Sequence, residues 1–132
     1  MERKQPKVVA ACLVEKDGKF LLAKEKVESG KQMWLIPGGS VEFGETIEHA
    51  AVREVKEETN LDVEIVRLVD FRQSIHVQYD YHSVIFFFHA MPVSDELRLA
   101  EEILEARYFT KQEIKELDLV YSAKWFFSQY FN

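Results

Sequence analysis

At 132 residues the chain has the length of one domain, residues 1–132, with room for a real core, and its 47% hydrophobic content is ordinary for a globular protein. A formal net charge of −6 excludes the broad basic surface that non-specific binding to a nucleic-acid polymer or an anionic membrane requires, so an anionic small molecule would need a metal or a few Lys and Arg to hold it. The single cysteine, Cys12, excludes an internal disulfide and a zinc cluster and fits a reducing cytoplasm.

Residues 1–7 are charged and expected to fray. The apolar run VVAACLV at 8–14 could imitate the core of a signal peptide, but it ends at once in Asp17-Gly18, a hairpin signal, and so reads as a buried strand returning through 20–26. No apolar run approaches the length of a membrane span. A polar loop at 28–32 leads to a short strand at 34–36. Pro37-Gly38-Gly39 then predicts tight or left-handed backbone that a ligand could approach closely, with a second bend at Gly44. A helical pattern follows, ending near Leu61. Beyond it, 61–71 alternates as a strand, and 75–91 is either one long bent strand or two meeting near Asp80. A polar connection at 94–102 precedes a last strand at 103–109. Thr110 and Glu113 form a capping box that should start a helix, and 121–131 is an aromatic-rich helical segment. This order predicts an α+β sandwich, a mixed sheet with the first helix on one face and the C-terminal helix on the other.

The chemistry is concentrated in residues 37–61. Glu54, Glu57 and Glu58 stand at i, i+3 and i+4 and share one helical face, where three like charges repel unless something neutralises them. Carboxylate oxygens are the ligands that a hard divalent cation prefers. Ile47, Ala51 and Val55 make the opposite face apolar, so the helix should pack on a sheet and turn its acidic face to a cleft. Taken alone, the same charges also describe a solvated face with an Arg53–Glu57 ion pair. The glycines at fixed spacing decide against that reading.

Gly39 is followed after five residues by Glu45 and after seven more by Arg53-Glu54, with Val55, Glu57, Glu58 and Leu61 in the next places. This resembles the Nudix box, G-x5-E-x7-R-E-U-x-E-E-x-G-U with U aliphatic. Only the second glycine departs, being Asn60, and Asn is the usual substitute for Gly at a left-handed helix end. The resemblance to MutT-like Nudix hydrolases implies a Nudix-type α/β/α sandwich. It also implies hydrolysis of a phosphoanhydride in a nucleoside diphosphate linked to another group X, with Mg2+ or Mn2+ assisting water at phosphorus.

By the same resemblance Glu54, Glu57 and Glu58 are metal-binding carboxylates, with the Gly38 carbonyl as a further ligand. Glu54 is alternatively the base, Arg53 orients Glu54 or its neighbours, and Glu45 steadies the loop or the metal shell. A carboxylate outside the box often completes such a site; Glu102 and Glu101 are the candidates, with Glu105 behind them, against the plain reading of an exposed acidic loop. Lys24 and Gly39 are candidate substrate contacts. Tyr79 stands near the place of a tyrosine in some Nudix hydrolases of dinucleoside polyphosphates, while the proline that marks many ADP-ribose pyrophosphatases is absent from the matching region. Tyr81, Phe71 and Trp34 could stack on a base or simply pack the sheet, and Trp125-Phe126-Phe127 could fill the core or form a homodimer face. The four histidines lack zinc-ligand spacing. The alternative to an enzyme is a Nudix-fold nucleotide sensor, which loss of box glutamates would favour; all are present here.

Overall fold

The computed structural model describes residues 4–131. The chain forms β1 (Lys7–Lys16), β2 (Lys19–Lys26), β3 (Gln32–Leu35), β4 (Gly38–Ser40), α1 (Ile47–Thr59), β5 (Val63–His76), β6 (Tyr81–Pro92), β7 (Glu105–Phe109), the single turn α2 (Lys111–Ile114) and α3 (Tyr121–Tyr130). Of the frayed start expected for residues 1–7, residues 1–3 lie outside the described residues, and Lys7 already opens β1.

The sheet runs β3-β2-β1-β6-β5, with β4 added to β1 and β7 to β2. It is mixed because β1 and β6 are parallel while the other pairs are antiparallel. Asp17 and Gly18, at φ 52° and 75°, close the β1–β2 hairpin as their sequence predicts. The two strands pair only beside that turn and then diverge. The segment of β3, Pro37 and β4 fills the wedge between them, tied to β1 by Cys12 N–H donating to Pro37 O (2.8 Å).

Alternation along β1 and β2 splits the core in two. Ala10, Cys12, Val14, Leu21 and Ala23 pack under Ala50, Ala51 and Val55 of α1. Ala11, Leu13, Phe20, Leu22 and Phe87 pack under Ala123, Phe126 and Phe127 of α3. The helices therefore cover opposite faces, as the sequence pattern predicts. Phe126 and Phe127 are core residues; Trp125 is half-buried beside Phe87. Cys12 is fully buried, and burial pushes its thiol up to about 12.

Two expectations are corrected. The strand expected to end at 71 runs on as β5 through His76 and is itself the first of the two strands that meet near Asp80. They meet through a 3₁₀ turn at Val77–Tyr79 with Asp80 at φ 55°, so within 75–91 the alternative of one long bent strand falls. Gly38 and Gly39 are not left-handed. They form β4, and their lack of a side chain serves close approach instead. A Cβ on Gly38 would collide with the backbone of Ala10 and Ala11, and one on Gly39 would collide with the Glu54 carboxylate.

Candidate active site

Helix α1 is placed by its ends. The Thr46 hydroxyl accepts the His49 N–H (3.1 Å) as N-cap, and Asn60 stops the helix at φ 70°, its N–H donating to Lys56 O (2.9 Å). Asn60 thus takes the left-handed geometry that lets it stand where the box has glycine. With Ala50, Ala51 and Val55 seated on β1, the acidic face turns toward β4 and the end of β2.

The carboxylates of that face do not share one environment. Glu58 is 7% exposed and accepts the Gly38 N–H (3.0 Å). Burial pushes its carboxyl up to about 8, and the neighbouring charges of Glu54, Glu25 and Glu102 act in the same direction. Glu54 lies over Gly39 and is raised by burial, against which Arg53 pulls it down. Glu57 is the outermost, its side chain 58% exposed.

Arg53 ties the face to the loop that precedes it. Its Nε and Nη2 donate to the two oxygens of Glu45 (2.7 and 2.9 Å), Nη2 also to Ser40 O (3.0 Å), and Nη1 to Glu54 (3.0 Å) and Glu57 (3.2 Å). All five guanidinium hydrogens are committed. Glu45 additionally accepts the Glu42 N–H (3.0 Å), and its Oε2 lies 2.6 Å from His49 Nδ1. The Arg53 bonds hold the Glu45 carboxyl down to about 2. Glu45 therefore anchors both the loop and the guanidinium.

Glu102 comes to the cluster from the connection before β7, which is held by Ala100 N–H to Glu58 O (3.0 Å) and Leu104 N–H to Lys24 O (2.8 Å). Its charge acts on both Glu58 and Glu25. Glu105 does not join: its carboxylate pairs with Arg107 (3.0 Å) and more loosely with Lys24 (3.8 Å). Lys24 shares the strand parity of Phe20 and Leu22, so it points to the α3 side, 5.5 Å above the Trp34 ring. Tyr79, 78% exposed, sits at the tip of the β5–β6 hairpin and not on α1, β2 or the connection before β7, the segments that carry the carboxylates. The expected substrate contacts of these two residues are thus not gathered to the cluster.

One acidic neighbour is absent from the sequence-based expectation. Glu25 follows Leu21 and Ala23 on the α1-facing side of β2, and burial beside Glu102 raises it. The alternation of β2 is the signal that points to it. Among the described residues no three Asp, Glu, His or Cys side chains are closed around a point as a metal would draw them. The donor set nevertheless fits a hard divalent cation: crowded carboxylates, one of them buried among other acidic charges, and no histidine or thiol among them.

Residues 4–130 match the family described as the NUDIX domain. The chain is 35% identical over 112 residues to an ADP-ribose pyrophosphatase of Methanocaldococcus jannaschii, covering 85% of this chain and 66% of that protein. It is 35% identical over 121 residues to Nudix hydrolase 5 of Arabidopsis thaliana, covering 89% of this chain and 34% of that one. It thus spans between 34% and 66% of the length of these curated relatives. A crystal structure of a MutT NUDIX hydrolase from Burkholderia pseudomallei superposes with a TM-score of 0.82 at 26% identity, covering 96% of this chain and 98% of that one. Among the described residues no helix is long and apolar enough to cross a membrane. The match over nearly the whole chain, the shared fold and the box carboxylates on α1 have one meaning: this chain belongs to the Nudix hydrolase family.

Proposed function

We propose that the chain hydrolyses a phosphoanhydride bond in a nucleoside diphosphate linked to a second group, using Mg2+ or Mn2+. Glu58 carries the reading. A carboxylate this buried, with acidic groups raising it further, is costly unless a cation joins it. Glu54, Glu57 and Glu58 would hold the ion, with Glu102 and the Gly38 carbonyl available to complete its shell. Bound there, the cation would neutralise phosphate oxygens and acidify the attacking water.

The protein groups do the rest. A water oxygen forms the new bond to phosphorus as the anhydride P–O bond breaks, and Glu54 is the group proposed to take the water's proton. Gly39 leaves room for that carboxylate. Arg53 orients Glu54 and Glu57, and Glu45 in turn holds Arg53. Lys24 and Tyr79 lie off the cluster and have no part in this scheme.

The substrate panel is ADP-ribose, a nucleotide sugar, a dinucleoside polyphosphate and a non-standard nucleoside triphosphate. The name of the Methanocaldococcus relative puts ADP-ribose first. Purified protein with Mg2+ should release a nucleoside monophosphate from one class, and EDTA or Glu57→Gln should abolish release with the fold intact. Normal turnover by Glu57→Gln would refute the assignment. A nucleotide that raises the melting temperature without being cleaved would mark a sensor.

A further inference from the structure

We propose that the outer edge of β5, from Asp70 to His76, pairs antiparallel with the same segment of a second copy of this chain, Gln73 facing Gln73 across the twofold axis. The surface does not rest on the proposed hydrolysis. The carboxylates lie on α1, β2 and the connection before β7, whereas β5 ends the sheet beyond β6.

The two ends of the sheet are finished differently. At the β3 end, Trp34 N–H donates to Asp118 O and Trp34 O accepts the Val120 N–H, both at 2.9 Å, so the chain before α3 covers that edge. At the other end, among the described residues, no backbone segment bonds to the outer side of β5 between Asp70 and His76. An open edge is a template for another strand, and proteins blunt such edges with bulges and charges. The first half of β5 has both: bulges between Ile65 and Arg67 and between Leu68 and Asp70, beside the charges of Glu64 and Arg67. From Asp70 the ladder with β6 runs unbroken to His76.

One bond gives the direction of the backbone groups. Phe71 N–H donates to Asp70 Oδ1 (2.8 Å) and so points away from β6. Alternation turns the N–H and C=O of Gln73 and Ile75 outward as well. The side chains of these three residues stand opposite Phe86, Val84 and His82 on the α1 side of the sheet, where Phe71 and Ile75 are 52% and 53% exposed. Asp70, Arg72, Ser74 and His76 take the α3 side, and the Arg72 guanidinium is engaged there, 5.0 and 4.7 Å from the Tyr121 and Trp125 rings.

Self-pairing centred on Gln73 suits both faces. On the α1 side Phe71 meets Ile75 of the second copy, twice by symmetry, and the two half-exposed apolar side chains cover each other. On the α3 side Asp70 meets His76 of the second copy. Its Oδ2 accepts an imidazole N–H, which the ring carries in either protonation state. The backbone contributes Gln73 N–H to Gln73 O and Ile75 N–H to Phe71 O, each twice, while the Phe71 N–H stays with Asp70. The neighbouring registers are worse. Centring on Arg72 opposes two guanidinium groups, and centring on Ser74 sets Arg72 against His76 and Phe71 against the turn residue Val77.

Sedimentation equilibrium of the full chain across micromolar concentrations should show a mass rising from 15.5 kDa towards twice that value. Gln73→Pro removes an outward N–H, a change that an edge strand tolerates, and Ile75→Lys sets a charge against Phe71. Each should raise the dimer Kd at least about tenfold, with the circular dichroism of the fold unchanged. Gln73→Cys puts two thiols on Cα atoms about 5.5 Å apart, within reach of a disulfide. Cys12 is fully buried, so oxidation of that variant should give a covalent dimer through position 73. Gln78→Cys, exposed at the hairpin tip, should not cross-link, because the register sends its two copies to opposite ends of the paired segment. A chain that stays monomeric over the whole range overturns the proposal, and so does a dimer that survives both Gln73→Pro and Ile75→Lys. A Gln73→Cys chain that cross-links no faster than Gln78→Cys overturns the register.

Discussion

Replacing Glu58 by Gln should make the metal-free protein more stable while destroying its metal-dependent chemistry. Gln keeps the shape and the oxygen that accepts the Gly38 N–H at 3.0 Å, but it removes the charge. Burial raises Glu58 from 4.5 to about 8 in the folded state. Every tenfold gain in proton affinity on folding makes the ionised carboxylate about 1.4 kcal/mol more costly. At pH 7 the protein therefore bears a cost of roughly 3 kcal/mol for this one group, an upper bound because local relaxation relieves part of it. A gain of about 1–3 kcal/mol is expected from the substitution. With an unfolding entropy of roughly 0.3 kcal/mol/K for a chain of this size, the melting temperature should rise by about 4–10 °C.

The sign fixes the pH window. The folded state holds the proton more tightly than the unfolded one, so the contribution of Glu58 to stability is fully present below pH 4.5 and is lost as pH rises to about 8. The gap between Glu58→Gln and the unaltered chain should be absent near pH 4, open through neutrality and level off above pH 8. Thermal melts in EDTA across that range measure it. Added Mg2+ should raise the melting temperature of the unaltered chain far more than that of the variant. A Glu58→Gln protein less stable than the unaltered chain at pH 8 in EDTA would refute the assigned burial cost, and so would a gap that does not grow with pH.

Adjacent glycines should fail differently. Gly38→Ala drives a Cβ into the β1 backbone, which cannot yield, and should cost about 1–3 kcal/mol in denaturant titrations. Gly39→Ala meets the flexible Glu54 carboxylate first, so melting should change little while kcat falls on the order of a hundredfold, the scale of a misplaced catalytic group. If both variants lose mainly stability, the assignment of Gly39 to Glu54 is wrong. Arg53→Lys should also lower kcat on the order of a hundredfold, because an ammonium cannot replace a guanidinium with five committed donors; near-normal kcat would show that the network is dispensable. Asn60→Ala should lose about 1 kcal/mol at its left-handed position and Asn60→Gly should not, which a pair of thermal melts decides.

Features governed by neighbours in the chain were legible without the structure. The Asp17-Gly18 turn, the Thr110–Glu113 capping box and the left-handed Asn60 each depend on a few consecutive residues, and each is found where its residues stand. The common helical face of Glu54, Glu57 and Glu58 follows from 3.6 residues per turn. Lys24 and Glu25 were less legible. The run Phe20-Leu21-Leu22-Ala23 is apolar on both parities because both faces of β2 are buried, so alternation alone does not tell which charged residue turns to α1.

By itself, then, the sequence determined the helix, its carboxylate spacing, its cap and its partition into an apolar and an acidic side, because each is set by local backbone geometry. Tertiary structure decided the rest. It decided that Glu58 is the buried carboxylate, that Glu54 lies over Gly39, and that Glu25 and Glu102 arrive from distant segments while Lys24 does not. Those outcomes depend on β4 pairing with β1 and β7 with β2. Such pairings join residues far apart in the chain, and it is their register and burial that set the separations between charges.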